Sequence, residues 1–156
     1  MTNEEFVFHE RIGRLRYLTA NVFRGEPLVH IREYTLQYGK ELPTKRGVAF
    51  TEKRWACFRD YLNEITRHVD LMKAEKVVDF SQHLGGKIYV TMKTGVKCID
   101  LRRYFLPPKG TKVLPTRSGI ALRLGEWNTL LQAIENLHRK IPDLNPRYPA
   151  TPAPIT

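Results

Sequence analysis

The chain has 156 residues, 42% hydrophobic and 10% aromatic, enough apolar side chain for a folded core in one domain or two small ones packed together, which excludes wholesale disorder. Twenty-six lysines and arginines against 16 acidic residues leave a formal charge of +10 and favour a polyanionic partner, either nucleic acid or an anionic membrane surface. No run of about 18 apolar residues could span a bilayer, and the start MTNEEF is acidic where a secretory leader is basic and then apolar, so a soluble, non-secreted protein is expected.

In chain order, Leu18, Ala20 and Val22 alternate with Tyr17, Thr19 and Asn21, and Val29 and Ile31 alternate with His30 and Arg32. A period of two predicts strands with one apolar and one polar face. VFRGEP reads as the hairpin tip between them, and a further strand is expected from Gly47 to Phe50 after a turn containing Pro43. The period then lengthens: Trp55, Phe58, Leu62, Ile65 and Val69 recur at three and four, with Thr51 placed to cap, predicting one amphipathic helix from 52 to about 72.

The same order then recurs. TKRGVAFTEKRWACF (44–58) aligns without a gap on TRSGIALRLGEWNTL (116–130), matching Thr44 to Thr116, Gly47 to Gly119, Ala49 to Ala121 and Trp55 to Trp127 at an offset of 72. VHIREY (29–34) answers IDLRRY (99–104) at an offset of 70, and the slip falls in the hairpin tip, shorter in the second copy, and in the loop LPPKGTKVLP, longer there. Insertions confined to turns are what a duplicated fold permits. In the second unit Ile88, Val90, Met92, Ile99 and Leu101 point inward from strands, and Trp127, Leu130, Ile134 and Leu137 line a helix that Pro142 ends. The expected class is α+β, with each unit a curled antiparallel sheet followed by one long helix that covers its own sheet. Repeat one is placed at residues 6–72, a linker at 73–76, repeat two at 77–141, and a loose proline-rich tail at 142–156.

The polar faces carry the candidate site. They hold Tyr17, Thr19, His30, Arg32 and Tyr34 with Phe23 and Arg24 at the tip and Lys45 and Arg46 nearby, then Tyr89, Thr91, Lys93, Arg102, Tyr104, Phe105 and Arg117. Cations among rings suit unpaired nucleic acid, because phosphates meet the cations while exposed bases stack at about 1–3 kcal/mol each. The alternative reading is that the rings pack at sheet edges and the cations only solvate a surface.

IGRLRYLTANVFRGEPLVHIREY followed by LPTKRGVAFTEKRWACFRDYLNEI resembles the C-terminal DNA-binding domain of the eukaryotic transcriptional coactivator Positive Cofactor Four, and KIYVTMKTGVKCIDLRRYF with LPTRSGIALRLGEWNTLLQAI is similar to it again. The resemblance implies a four-stranded sheet plus a helix in each repeat, paired here as an intramolecular pseudo-dimer whose sheet faces bind single-stranded or melted DNA with little sequence preference. It also implies a nuclear location and contact with transcription machinery. By the family's pattern Phe23 and Arg24 hold the aromatic and basic hairpin tip in repeat one, Lys93 and Phe105 the basic and aromatic positions in repeat two, and Arg32 and Arg102 the strand arginine in both. Asn21, Glu26 and Thr35 depart from that pattern, and the second tip is cut to Thr94 and Gly95. Repeat one with its linker (1–76) carries 14 basic and 11 acidic residues, and the remainder 12 and 5. Repeat two is therefore expected to contribute more phosphate contact and repeat one the intercalating tip, so that replacing Arg102 and Lys93 together weakens binding more than replacing Arg32.

Cys57 and Cys98 lack metal-type spacing and read as buried free thiols in a reducing compartment. The five histidines are scattered, and Gly85-Gly86 precedes a strand rather than a helix, so it reads as a turn and not a phosphate loop. No catalytic set, cofactor or metal site is expected, and the basic helices are needed for covering sheets rather than binding membrane. The expected function is therefore non-enzymatic binding of single-stranded DNA. RNA binding, or a protein-interaction scaffold that has lost the site, remain the other two classes, and a monomeric pseudo-dimer or a further homodimer both remain open.

Overall fold

The computed structural model describes residues 6–146. Strands β1 (Phe8–Gly13), β2 (Arg16–Phe23), β3 (Glu26–Gln37) and β4 (Lys40–Phe50) lead into helices α1 (Glu52–Asp60) and α2 (Leu62–Lys73). Strands β5 (Asp79–His83), β6 (Ile88–Lys93), β7 (Val96–Phe105) and β8 (Leu114–Arg123) then lead into α3 (Leu124–Lys140). Each set of four forms an antiparallel sheet in sequential order, β1-β2-β3-β4 and β5-β6-β7-β8. The class is α+β, with the two sheet repeats that the offset in the sequence implied.

The period-two pattern buries Leu18, Ala20, Val29 and Ile31 in the first sheet and Ile88, Val90, Met92, Ile99 and Leu101 in the second. Trp55, Phe58, Ile65, Val69, Trp127, Leu130, Ile134 and Leu137 meet them from the helices in one continuous core. Burying each such side chain contributes about 1.5–3 kcal/mol relative to leaving it in water. Val22 departs from its expected place: it is 54% exposed, because β2 has run beyond β1 and projects with the hairpin tip.

Thr51 caps α1 as expected, its Oγ1 accepting from the Arg54 amide at 3.4 Å. The single long helix expected over 52–72 is instead two, because Tyr61 (φ −101°, ψ 3°) leaves helical geometry and its amide turns back to Phe58 O at 3.0 Å, a tighter three-residue turn. Nor does each helix keep to its own sheet: α3 packs on β1 and β2 as well as on β7 and β8. That crossing is reciprocal. The Trp55 indole donates to His138 Nε2 at 3.0 Å, and the Trp127 indole donates to Thr66 Oγ1 at 2.9 Å; both donors and both acceptors are 72 residues apart.

A third tie is buried. Glu126, 8% exposed at the start of α3, accepts from Arg16 Nη1 at 2.8 Å and from the Arg123 amide at 2.8 Å, while the same Arg16 nitrogen donates to Ala121 O of β8. Repeat one therefore reaches into both β8 and α3 through one guanidinium.

Pro142–Leu144 form a short 3-10 turn rather than loose chain, because Leu144 is 1% exposed and its carbonyl accepts from Arg59 Nη1 at 2.6 Å. The rest of the expected tail, 147–156, lies outside the described residues. Cys57 and Cys98 are free, yet half-buried rather than buried, and burial pushes both thiols up from their ordinary pKa.

Candidate nucleic-acid interface

Lys45-Arg46 and Arg117-Ser118 do not sit in a turn. β4 and β8 run through them, with Arg32 paired to Gly47 and Tyr34 to Pro43, and likewise Arg102 to Gly119 and Tyr104 to Pro115. Three residues on β4 (44–46) thus oppose one on β3, and three on β8 (116–118) oppose one on β7, forming a bulge that bends the strand and pushes its middle residues outward. The threonine common to both bulges holds the bend in place. Thr44 Oγ1 donates to Glu33 O at 2.7 Å and accepts from the Arg46 amide at 3.0 Å; Thr116 Oγ1 donates to Arg103 O at 2.8 Å and accepts from the Ser118 amide at 3.1 Å. Pro43 and Pro115 are tolerated because β4 and β8 are edge strands.

The glycine after each bulge is needed for space. A Cβ on Gly47 would lie 2.5 Å from Ile31 O, and one on Gly119 would lie 2.6 Å from Arg102 Cγ. The strand arginines thus lie across bare backbone, and each donates through Nη1 to the bulge threonine carbonyl, Arg32 to Thr44 O at 2.8 Å and Arg102 to Thr116 O at 2.9 Å.

Beyond that shared bond the two arginines differ. Arg32 Nη2 faces His30 Nδ1 at 3.1 Å. Arg102 instead grips Asp100 with two parallel bonds, Nε to Oδ2 at 3.0 Å and Nη2 to Oδ1 at 2.8 Å. Burial lowers the pKa of Arg32, and the hydrogen bonding that Arg102 donates to Asp100 raises that of Arg102. Burial, then the neighbouring Arg32 charge, pushes His30 down to about 4, so its ring is neutral at pH 7.

β4 lies beside β8, and between the repeats opens a cleft of about 980 Å³. Lys45, Arg46, Arg102 and Arg117 line it, two from each repeat, together with Arg16 and Tyr34. A second recess of about 410 Å³ adjoins it, sharing Tyr34, Thr44 and Lys45 and adding Phe6, Thr19, His30 and Arg32. Thr19 lines this recess although it is only 1% exposed. Lys45 and Arg117 are exposed with no ion pair among the described residues, whereas Arg46 lies 3.5 Å from Glu33 Oε2.

The remaining candidates stand apart from the cleft. Phe23 is 58% exposed at the β2–β3 tip, where Arg24 and Gly25 take the positive φ of a two-residue hairpin and the Arg24 guanidinium sits 5.2 Å from the Phe23 ring centre. The second hairpin tip is not shorter as expected: Phe23 pairs with Glu26 and Lys93 with Val96, so both tips have two residues, and the missing pair falls in β6, 6 residues against 8 in β2, where the register with β7 shifts. Lys93 is exposed beside that tip, Thr91 is half-buried on β6, and Phe105 is 42% exposed at the end of β7. Two of the rings are already engaged with the protein itself. Tyr17 stacks on His9 at 4.5 Å, meets Tyr34 edge-on at 5.0 Å and donates to Glu41 Oε1 at 2.6 Å, a bond that raises its pKa. Tyr89 packs between His83 at 4.7 Å and Tyr104 at 4.9 Å.

Sequence reading missed the acidic and cross-repeat partners: Arg16, Glu33, Glu41 and Asp100. Asp100 had a signal, since it stands two residues before Arg102 on the same strand face, where His30 stands before Arg32. Asn21 Oδ1, on the face that holds Thr19 and Phe23, is buried without a hydrogen-bond partner among the described residues.

Residues 11–61, from β1 through the β4 bulge to the end of α1, match the sequence model of the family described as Transcriptional Coactivator p15 (PC4). The chain contains a PC4-like domain. It is similar to the RNA polymerase II transcriptional coactivator KELP of Arabidopsis thaliana, 38% identical over 64 residues, which is 41% of this chain and 39% of that protein. A putative RNA polymerase II transcriptional coactivator of Caenorhabditis elegans is 36% identical over 58 residues, 36% of this chain and 47% of its own length. An RNA polymerase II transcriptional coactivator of Drosophila melanogaster is 34% identical over 56 residues, 36% of this chain and 51% of its own length. The chain thus spans about half or less of the length of these curated relatives. The PC4-like match lies within repeat one and stops before α2; repeat two reproduces its bulge, arginine, threonine and glycine 70 to 72 residues later.

Proposed function

We propose that this protein is a non-enzymatic single-stranded DNA-binding protein of the transcriptional-coactivator type, in which repeats 6–72 and 77–141 work as an intramolecular pseudo-dimer with curled sheets. The observation that carries the reading is the cleft between β4 and β8, where Lys45 and Arg46 face Arg102 and Arg117 from the other repeat. Cations from two repeats along one open cleft attract a flexible polyanion, and Phe23 and Phe105 beyond it offer exposed rings to unstacked bases. A duplex keeps its bases stacked and offers those rings nothing. Tyr17, Thr19, Arg24, Arg32, Tyr89, Thr91 and Lys93 complete the proposed contact set around the sheets. The names of the similar proteins support a role in RNA polymerase II transcription, hence a nuclear location and contact with the transcription machinery.

Fluorescence anisotropy with single-stranded DNA, duplex DNA and RNA of equal length, at two salt concentrations, tests this. Tighter binding of unpaired DNA with a steep salt dependence supports it. Preference for RNA transfers the site to that ligand, and no binding of any of the three leaves a protein-interaction scaffold. Light scattering on the intact chain distinguishes a monomer from a further homodimer.

A further inference from the structure

The strand arginines of the two repeats form a controlled comparison inside one molecule. Each lies over a glycine, each is paired in register with a tyrosine, Tyr17 or Tyr89, and each donates Nη1 to its bulge threonine carbonyl. What differs is the side chain two residues earlier on the same strand face: His30 in one, Asp100 in the other. A guanidinium recognises a phosphate as it recognises a carboxylate, through two parallel N–H groups. In repeat two that edge, Nε with Nη2, is already filled by both oxygens of Asp100. In repeat one Nη2 faces an imidazole nitrogen, and among the described residues no carboxylate lies in salt-bridge contact with Arg32.

We propose that Asp100 is a built-in competitor for phosphodiester, so that the two repeats are unequal: Arg32 is the phosphate-receiving arginine, and Arg102 receives one only when Asp100 is displaced. This rests on the single-stranded nucleic-acid reading of the same surface. It reverses, at this position, the expectation from net charge that repeat two contributes more phosphate contact. The Arg102–Asp100 pair contributes nothing to the net charge of repeat two, whose excess therefore resides on other side chains.

The test is a set of titrations of a single-stranded oligonucleotide across a salt series with the full chain. Asp100→Asn and Asp100→His should each tighten binding several-fold at low salt and steepen the slope of log K against log salt by about 0.7, the value for one further phosphate on a single strand. His30→Asp should weaken binding and flatten the slope by a similar amount. Asp70→Asn, the same charge change at an exposed position on α2, controls for net charge and should leave the slope unchanged. Adding Arg102→Ala to Asp100→Asn should abolish the gain. An unchanged slope for both Asp100 variants while the wild type binds overturns the inference alone, as does an equal gain from Asp70→Asn. Failure of every variant, wild type included, to bind single strands overturns the functional reading and this inference with it.

Discussion

The indole N–H of Trp55 donates to Nε2 of His138 at 3.0 Å, so the helix that follows the first sheet is tied to the helix that follows the second. The matching bond, Trp127 to Thr66, joins the equivalent positions in the opposite sense. Two donors that hydrophobic helix faces would otherwise bury unpaired are each satisfied by the other repeat, which makes the packing of the repeats specific as well as apolar.

Trp55→Phe and Thr66→Val each remove one partner of such a bond while keeping most of the volume. Each should cost about 1–2 kcal/mol in urea unfolding, and the pair should add, because the bonds share no atom. A variant that loses nothing would show that the bond is incidental to the packing.

Acid should loosen the molecule in a defined window. Burial, then the neighbouring Arg59 charge, holds His138 down to about 4, and burial, then Arg32, does the same for His30. Both rings are neutral when folded yet would take a proton near pH 6.5 when unfolded, so the unfolded chain binds more protons between those values. Stability should be full above about pH 6.5 and fall progressively towards pH 4, by about 1 kcal/mol for each ring at pH 5 after allowing for their partial exposure. His138→Gln with His30→Gln should flatten the dependence of the denaturation midpoint between pH 7.5 and 5; an unchanged profile would place the sensitivity elsewhere.

Gly47→Ala and Gly119→Ala each force a methyl against a backbone or arginine atom about 2.5 Å away. The neighbouring strand at Gly47 has no flexible end to yield, so about 1–3 kcal/mol should be lost there in thermal melts. At Gly119 the contact is with the Arg102 side chain, which can move; a smaller stability loss with a larger change in oligonucleotide affinity is expected.

Lys45→Ala with Arg117→Ala removes two exposed cations that line the cleft from opposite repeats and lack ion pairs among the described residues. The salt slope for single-stranded DNA should fall by about 1.4, two phosphates' worth. Phe23→Ala should weaken binding by about 1–3 kcal/mol with the slope preserved, since a ring stacks on bases and releases no counterions.

Most of the fold was legible because it is written twice. The alternation at Leu18, Ala20, Val29 and Ile31 and the spacing of Trp55, Phe58, Ile65 and Val69 mark out the buried faces from residue order alone, and the offset supports each pattern by repetition. The break at Tyr61 was not legible, because neither proline nor glycine marks it and the apolar spacing continues across it. Lys45-Arg46 suggested a turn because Pro43 precedes it and Gly47 follows; a bulge in a continuous strand uses the same residues, and only the pairing of Tyr34 with Pro43 separates the two. The cations of the site other than Arg16 could be read from residue type. Apart from Asp100, two residues before Arg102, their counter-ions could not: Glu33 meets Arg46 across a strand pair and Glu126 meets Arg16 across the repeats, distances in space with no fixed distance in sequence.

Joining both repeats by the short stretch between Lys73 and Asp79 has an effect on their chemistry as well as their geometry. Two separate copies of one gene product must carry every substitution on both sides at once, and they come apart on dilution. Halves sharing a polypeptide are freed from both conditions. A histidine can replace an aspartate on one side alone, and the pairing survives at any concentration, so a tethered molecule of this kind can specialise its left hand without altering its right.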